Sequence, residues 1–354
     1  MTHKEELYNC TYQSCKDYKS NYKHIGKPYE RKDAMEKVTG SARYAFDAEV
    51  PGMLHAKVLH SPYARAKIVS VDCSKAKALP GVKAVLTGDD SDLLVGLYME
   101  DKWVFAKGET RYQGEAVAAV AATTEAIAEE AVSLIEVEYE VLEPVVGLDK
   151  ALEADILVHE NIAEINHVEG VFFPQPDSNI ASPITRRRGD LETGFAEADH
   201  ILENEFSLPA VAHVPIETHV AIAQYNPFTG RIKIISSAQS PFALRQMLAS
   251  TLGIKESDIE VQVPYVGGAF GGKAGIHLEP LICLLSREAG GAPVKLKLSR
   301  EQEFNYMATR AAMRGKIRTG VKNDGTMVAA DIVYDWDSGA YADYGVNVGK
   351  TAVY

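Results

Sequence analysis

VGGAFGGK, residues 266–273, holds four glycines in the six positions from Gly267 to Gly272. Glycine loses more conformational freedom on folding than any other residue, so this density belongs where backbone turns tightly or approaches a ligand. The flanks read as regular structure, with a strand over 259–264 and a helix over 276–289. Two readings of the loop follow. It is a tight strand-to-helix connection, or its N–H groups, lying just before a helix, bind an anion such as phosphate. Gly267 through Lys273 also satisfies the spacing G-x-x-x-x-G-K of a nucleotide-triphosphate loop. Ala274, however, stands where a serine or threonine hydroxyl would hold magnesium, and Asp331 is the one candidate for a partner aspartate. A P-loop-like nucleotide-binding ATPase is therefore the alternative reading.

Upstream, 232–237 reads as a strand, and Ser240-Pro241 as the N-cap and first-turn proline of a helix that ends at Leu252 against Gly253. Gln239 then sits at the carboxyl end of a strand, the edge where open α/β sheets place ligands. Its carboxamide can donate to an oxo group or accept from a hydroxyl, and simple loop chemistry is an equal reading. His213, Glu217 and His219 share parity, so an extended segment would turn them to one face and raise a zinc site. Hydrogen-bonded structural residues are preferred there, because no fourth ligand can be named. Downstream, 294–298 reads as a strand, and 314–321 and 327–336 flank Asn323-Asp324-Gly325 as a hairpin whose second strand leaves an open edge.

The pattern divides the chain into a polar arm over 1–25, a compact α/β domain over 26–148, a connecting stretch over 149–200 and a second α/β domain over 201–354. Strands are expected at 54–59, 68–72, 82–86, 117–121 and 135–141, with a helix over 124–134 that turns Ile127, Ala131 and Leu134 to one face. Arg186-Arg187-Arg188 in the connecting stretch reads as a solvated or inter-subunit contact.

The 354 residues carry 37 Lys and Arg against 49 Asp and Glu, a net charge of −12 that argues against a nucleic-acid partner. Thirteen acids between Glu125 and Glu169, set against Lys150 alone, account for the whole excess, so the rest of the chain is neutral. Within that segment Val137, Tyr139 and Val141 alternate with Glu136, Glu138 and Glu140, as in a half-buried strand with a solvated outer face. Cys10, Cys15, Cys73 and Cys283 are too scattered for a disulfide framework, and no cysteine follows Cys15 at the spacing that completes an iron–sulfur motif. The start MTHKEELYNC lacks signal-peptide order, and the longest apolar run, 116–122, is too short for a bilayer. A cytoplasmic protein with no membrane partner is expected.

With these motifs in order, the chain resembles the molybdenum-binding subunit of the xanthine dehydrogenase and aldehyde oxidase family, the molybdenum hydroxylases. The resemblance runs from about residue 26 to the end, through GKPYERKDAMEKVTGSARYAFD at 26–47, LHAKVLHSPYARAKI at 54–68, YQGEAVAAVAA at 112–122, RRRGD at 186–190, HVPIETH at 213–219, SAQSPFALRQMLASTLGI at 237–254 and the glycine loop. It implies a small α/β (α+β) hammerhead domain followed by the first, incomplete part of a molybdopterin-binding α/β domain.

Residue by residue, the resemblance implies that Gln239 lies beside the molybdenum's oxo ligand, with Phe270 and Gly271 at the metal centre. Gly267, Gly268, Ala269 and Gly272 belong to the same cofactor-binding loop, the glycines letting backbone pass close to the pterin. The pterin, which can carry a cytosine dinucleotide, holds the metal, so no side chain of this chain is a direct ligand. Ala274 faces the substrate pocket at a position where xanthine-oxidising members carry a glutamate. The catalytic glutamate base and the substrate-binding arginine lie beyond Tyr354 in the family pattern, so no catalytic residue is expected in this chain, which would turn over only with partners. Those partners would be a second molybdenum-subunit chain, an iron–sulfur subunit and an FAD subunit. The implied reaction is hydroxylation, with water as oxygen source, of a small molecule: a nicotinate-like or purine-like N-heterocycle, or an aldehyde. A non-catalytic assembly subunit is the remaining alternative.

Overall fold

A computed structural model of the chain describes residues 23–24, 27–342 and 345–351. The Cys10–Cys15 pair, and the polar arm apart from Lys23 and His24, lie outside the described residues. The chain divides into two units, Met1–Arg43 and Tyr44–Tyr354. In the first, a short helix spans Ala34–Val38, and the Asp33 carboxylate before it pairs with Arg31 and Lys37.

In the second unit the first eight strands are β1 (Leu54–His60), β2 (Ala66–Asp72), β3 (Val82–Thr87), β4 (Leu94–Val95), β5 (Lys102–Trp103), β6 (Glu109–Thr110), β7 (Ala116–Ala122) and β8 (Glu136–Val141). They are followed by β9 (His200–Leu208), β10 (Val220–Tyr225), β11 (Ile232–Ser236), β12 (Ile259–Gln262), β13 (Val294–Lys297), β14 (Ala312–Val321) and β15 (Met327–Asp337). The main sheet runs β12-β11-β10-β13-β1-β7-β3, so it takes strands from both halves of the sequence. Only β1–β13 and β11–β12 pair parallel within it; the other neighbours are antiparallel.

β7, AVAAVAA, is buried along its whole length because both of its faces are covered. Ala119 and Ala121 face the large core, with Leu281, Leu285 and Leu296, while Ala118 and Val120 face a smaller core with Ala76, Ala131 and Ile135. The helix before β8 runs Glu125–Ser133, capped by Thr124, whose side chain accepts from the Ile127 N–H. Its buried residues are Ala128 and Ala131, so Ile127 yields the core-facing position to a smaller neighbour. On β8 the expected alternation holds for Val137 and Tyr139, which are half-buried, but Val141, the last residue of the strand, is exposed.

Three further sheets accompany it, β6-β2-β8, β15-β14-β9 and the two-stranded β4-β5. The hairpin β14–β15 turns at Gly325, whose φ of 87° suits glycine, and β15 is an edge strand as expected. Cys73 and Cys283 are buried free thiols, and burial pushes the Cys283 thiol up. Among the described residues no helix is long and apolar enough to cross a membrane.

Candidate functional site

The parallel pairing of β11 with β12 brings the carboxyl ends of both strands to one edge of the main sheet. Gln239 follows β11 and the glycine loop follows β12, so both arrive at the same place from the same direction. The helix after β11 spans Pro241–Leu252 and stops at Gly253, φ 65°, as expected; Ser240 stands at its N-cap without making a side-chain capping bond. The helix after the loop starts later than expected, at Glu279 rather than 276, and runs to Glu288. Six residues thus separate it from Gly272, and the loop is not poised at a helix N-terminus.

Gln239 and the loop are clamped together. The Gln239 side-chain oxygen accepts from the Gly271 N–H at 2.9 Å and the Lys273 N–H at 3.2 Å, and the Gln239 N–H donates to the Lys273 carbonyl at 2.8 Å. With its oxygen committed to two backbone donors, the exposed carboxamide keeps its NH₂ as a donor. The loop closes on itself through a 2.8 Å bond from the Gly272 N–H to the Ala269 carbonyl. Phe270 forms its tip, 74% exposed in a left-handed conformation with φ 54°, an uncommon and strained state for a non-glycine residue. Gly268 and Gly271, at φ 106° and 96°, supply the turns on either side, and Ala269 is buried. Ala274 is half-buried just beyond.

Two loop glycines answer to this chain's own packing. A Cβ on Gly267 would lie 2.6 Å from the Glu217 Cβ, and one on Gly272 would lie 2.9 Å from His213 Nδ1. Close approach of backbone to side chain, rather than torsional freedom, demands glycine there.

Beneath the loop lies a buried ionic network. Lys273, 1% exposed, donates from Nζ to the Glu217 carbonyl at 2.8 Å and pairs with Glu217 Oε2 at 3.3 Å, while Oε2 also accepts from the Gly267 N–H at 2.8 Å. Burial outweighs the Glu217 charge and holds the Lys273 ammonium below the usual lysine value. A lysine so enclosed cannot reach a bound triphosphate, which sets the nucleotide-loop reading aside. His219 Nδ1 lies 2.7 Å from Glu303 Oε1, and its Nε2 lies 3.0 Å from the Gly272 carbonyl. Burial tends to raise the Glu303 carboxyl, but the hydrogen bonds and charge of His219 prevail and lower it.

His213, Glu217 and His219 are not gathered as a set of ligands. Val214, at φ 46°, breaks the extended segment; His213 lies against Gly272, His219 Nε2 meets the Gly272 carbonyl, and Glu217 bonds to Gly267 and Lys273. Among the described residues no group of three or more histidine, cysteine, aspartate or glutamate side chains is arranged to hold a metal ion. The sequence reading missed Glu303. Its one sequence signal is the capping box of Ser299 and Gln302, which fixes the start of the Arg300–Tyr306 helix and turns Glu303 inward. Asp331, on β15, pairs with Arg318 across the β14–β15 ladder and is remote in the topology from the loop.

With this geometry in place, comparison identifies the class. The family model of the molybdopterin cofactor-binding domain matches residues 172–354, and that of the aldehyde oxidase and xanthine dehydrogenase a/b hammerhead domain matches 39–143. The chain belongs to the xanthine dehydrogenase and aldehyde oxidase family. Among its relatives it is 36% identical to a probable xanthine dehydrogenase subunit of Bacillus subtilis, over 91% of this chain and 41% of that protein. It is 32% identical to the nicotinate dehydrogenase large molybdopterin subunit of Eubacterium barkeri, over 92% of this chain and 73% of that protein. The fold superposes on quinoline 2-oxidoreductase from Pseudomonas putida with a TM-score of 0.76 and 36% identity, covering 88% of this chain and 39% of that one. The chain thus spans about two fifths of the length of several relatives that it matches.

Proposed function

We propose that the chain is the loop-bearing part of a divided molybdenum hydroxylase, acting with partner chains on a nicotinate-like or purine-like N-heterocycle or an aldehyde. The observation that carries this reading is the clamp between Gln239 and the loop. It presents a fixed NH₂ donor beside the exposed tip of Phe270 and Gly271, the arrangement expected of a surface that meets an oxo group. The residues fit the molybdenum–pterin cofactor in kind. A metal held by the pterin's own sulfurs needs from the protein a shaped backbone and a hydrogen-bond donor, and the loop offers both.

In this reading Gln239, Gly267, Gly268, Ala269, Phe270, Gly271 and Gly272 hold the cofactor, with Gln239 and Phe270 next to the metal. The cofactor supplies two-electron oxidation chemistry with water as the oxygen source. Gln239 orients and stabilises charge by its carboxamide; Phe270 excludes water from the centre; Ala274 gives the substrate side an apolar contact in place of a carboxylate. The proton-abstracting glutamate comes from a second molybdenum-subunit chain, and electrons leave to iron–sulfur and FAD centres on further subunits, in the cytoplasm. A pterin extended as the cytosine dinucleotide belongs to the same reading. The Eubacterium barkeri relative supports a divided subunit, since it is named a large molybdopterin subunit and this chain covers 73% of it.

Gln239→Ala tests the assignment in the complex purified with its partners. We expect the fold and cofactor content to be kept and turnover to fall by on the order of 100-fold, as when one preorganised donor is removed. Turnover equal to that of the unaltered complex would remove Gln239 from the centre.

A further inference from the structure

Gln239 is held through a peptide that is gripped at both ends. The peptide unit between Gly272 and Lys273 presents its N–H to the Gln239 side-chain oxygen at 3.2 Å and its carbonyl to His219 Nε2 at 3.0 Å. A carbonyl oxygen only accepts, so the Nε2 position must carry a proton. On the other side of the ring, Nδ1 and Glu303 Oε1 share a proton at 2.7 Å, and Glu303 Oε2 accepts the His219 backbone N–H at 2.9 Å. Both side chains are buried, His219 at 6% and Glu303 at 6% exposure. The His277 ring stands edge-on to His219 with centroids 5.0 Å apart, so the imidazole has little room to rotate.

We infer that Glu303 and His219 are positioning residues for the proposed cofactor centre: a relay runs from the Glu303 carboxylate through the His219 ring and the Gly272–Lys273 peptide to the Gln239 carboxamide. Glu303 fixes the ring by holding both its Nδ1 edge and its backbone. The ring fixes the plane of the peptide, and the peptide fixes the side-chain oxygen of Gln239. Because that oxygen is pinned, the NH₂ direction is set by residues that never touch substrate or cofactor. Hydrogen bonds in such a chain polarise one another, so the donor at its end is strengthened as well as aimed. The buried Glu217–Lys273 pair holds the same segment from a second side, which keeps the loop from collapsing when the relay alone is altered.

The inference rests on the reading of Gln239 as a neighbour of the molybdenum centre, and the test separates the two. His219→Leu removes the grip on the Gly272 carbonyl. His219→Gln keeps a donor at about the reach of Nε2 but loses the side-chain link of Nδ1 to Glu303, leaving only the backbone one. Each is made in the full complex with partners, and molybdenum and pterin content, turnover, and backbone hydrogen exchange over 268–276 are measured. We expect His219→Leu to keep its cofactor, to lose kcat by on the order of 100-fold with KM little changed, and to exchange faster over 268–276 even in complex prepared without cofactor. His219→Gln should recover part of both losses, the remainder being the share that depends on Glu303; full recovery would remove Glu303 from the relay. Equal kcat in the Leu variant and the unaltered complex, or unaltered exchange over 268–276, would overturn the relay. Gln and Leu variants that are equally impaired would also overturn it, since only bulk would then matter. Absence of molybdenum and pterin from the unaltered complex, with the exchange difference intact, would instead overturn the reading of the centre.

Discussion

The acidic strand β8 and the ground beneath the glycine loop both bring glutamates and lysines together, with opposite physical consequences. On β8, Glu136, Glu138 and Glu140 face solvent, and the Glu136–Lys75 pair is exposed on both sides. Water already solvates such charges, so the pairs contribute little and the strand would tolerate their loss. Beneath the loop, Lys273 and Glu217 are at 1% and 6% side-chain exposure, and their backbone contacts tie together residues 217, 267 and 273. There each charge depends on the other to survive burial. A strand in the middle of the segment that holds the chain's excess of charge is thus one where charge matters little, while a nearly neutral region conceals the ion pairs that shape the site.

Removing one partner from the buried pair is the sharpest way to break this contrast. Lys273→Met leaves the Glu217 carboxylate buried without its cation and should cost about 3–5 kcal/mol, read as a lowered denaturation midpoint. A loss no larger than that of a surface pair would erase the distinction. Gly272→Ala is next. Its Cβ would press on the His213 ring at 2.9–3.0 Å, for an overpacking cost of about 1–3 kcal/mol by the same measurement.

Lys57 lies between the extremes. It pairs with Glu125 at 2.8 Å and Glu129 at 2.7 Å, and Glu125 also reaches Lys297 at 2.9 Å. Partial burial tends to raise the Glu125 carboxyl, but its bonds to Lys57 and Lys297 prevail and bring it from 4.5 down to about 2. A carboxyl depressed in the folded state adds stability above its unfolded value, and that stability fades as pH falls from 4.5 towards about 2. Lys57→Met should therefore lower the midpoint slightly at neutral pH, and the difference from the unaltered protein should shrink through that window. A difference independent of pH would show that Lys57 acts by packing of its stem alone.

Much of this architecture was legible locally. Pro241 in the first turn of its helix, Gly253 as a helix stop and Gly325 in a hairpin turn are each dictated by residues within a turn of themselves. The family could be read from the order of its motifs, and the association of Gln239 with the loop only from that resemblance, since the parallel pairing of β11 with β12 is itself non-local. What sequence could not give is non-local. The seven-stranded sheet joins β1 and β7 to β13 and β10 across well over a hundred residues, and periodicity carries no information about such pairing. The late start of the Glu279 helix reflects a buried carboxylate that accepts from Ser236 and from the His277 N–H, contacts invisible to helical spacing. Likewise, the parity of His213, Glu217 and His219 failed because Val214 leaves the extended region. Glu303 escaped notice because its partner lies 84 positions away.

The most direct test of the central claim is elemental analysis of the complex purified with its partner chains, combined with the fluorescence of oxidised pterin released from it. The account predicts molybdenum and pterin together, in amounts approaching one of each per chain. A folded, complete complex with neither would contradict it.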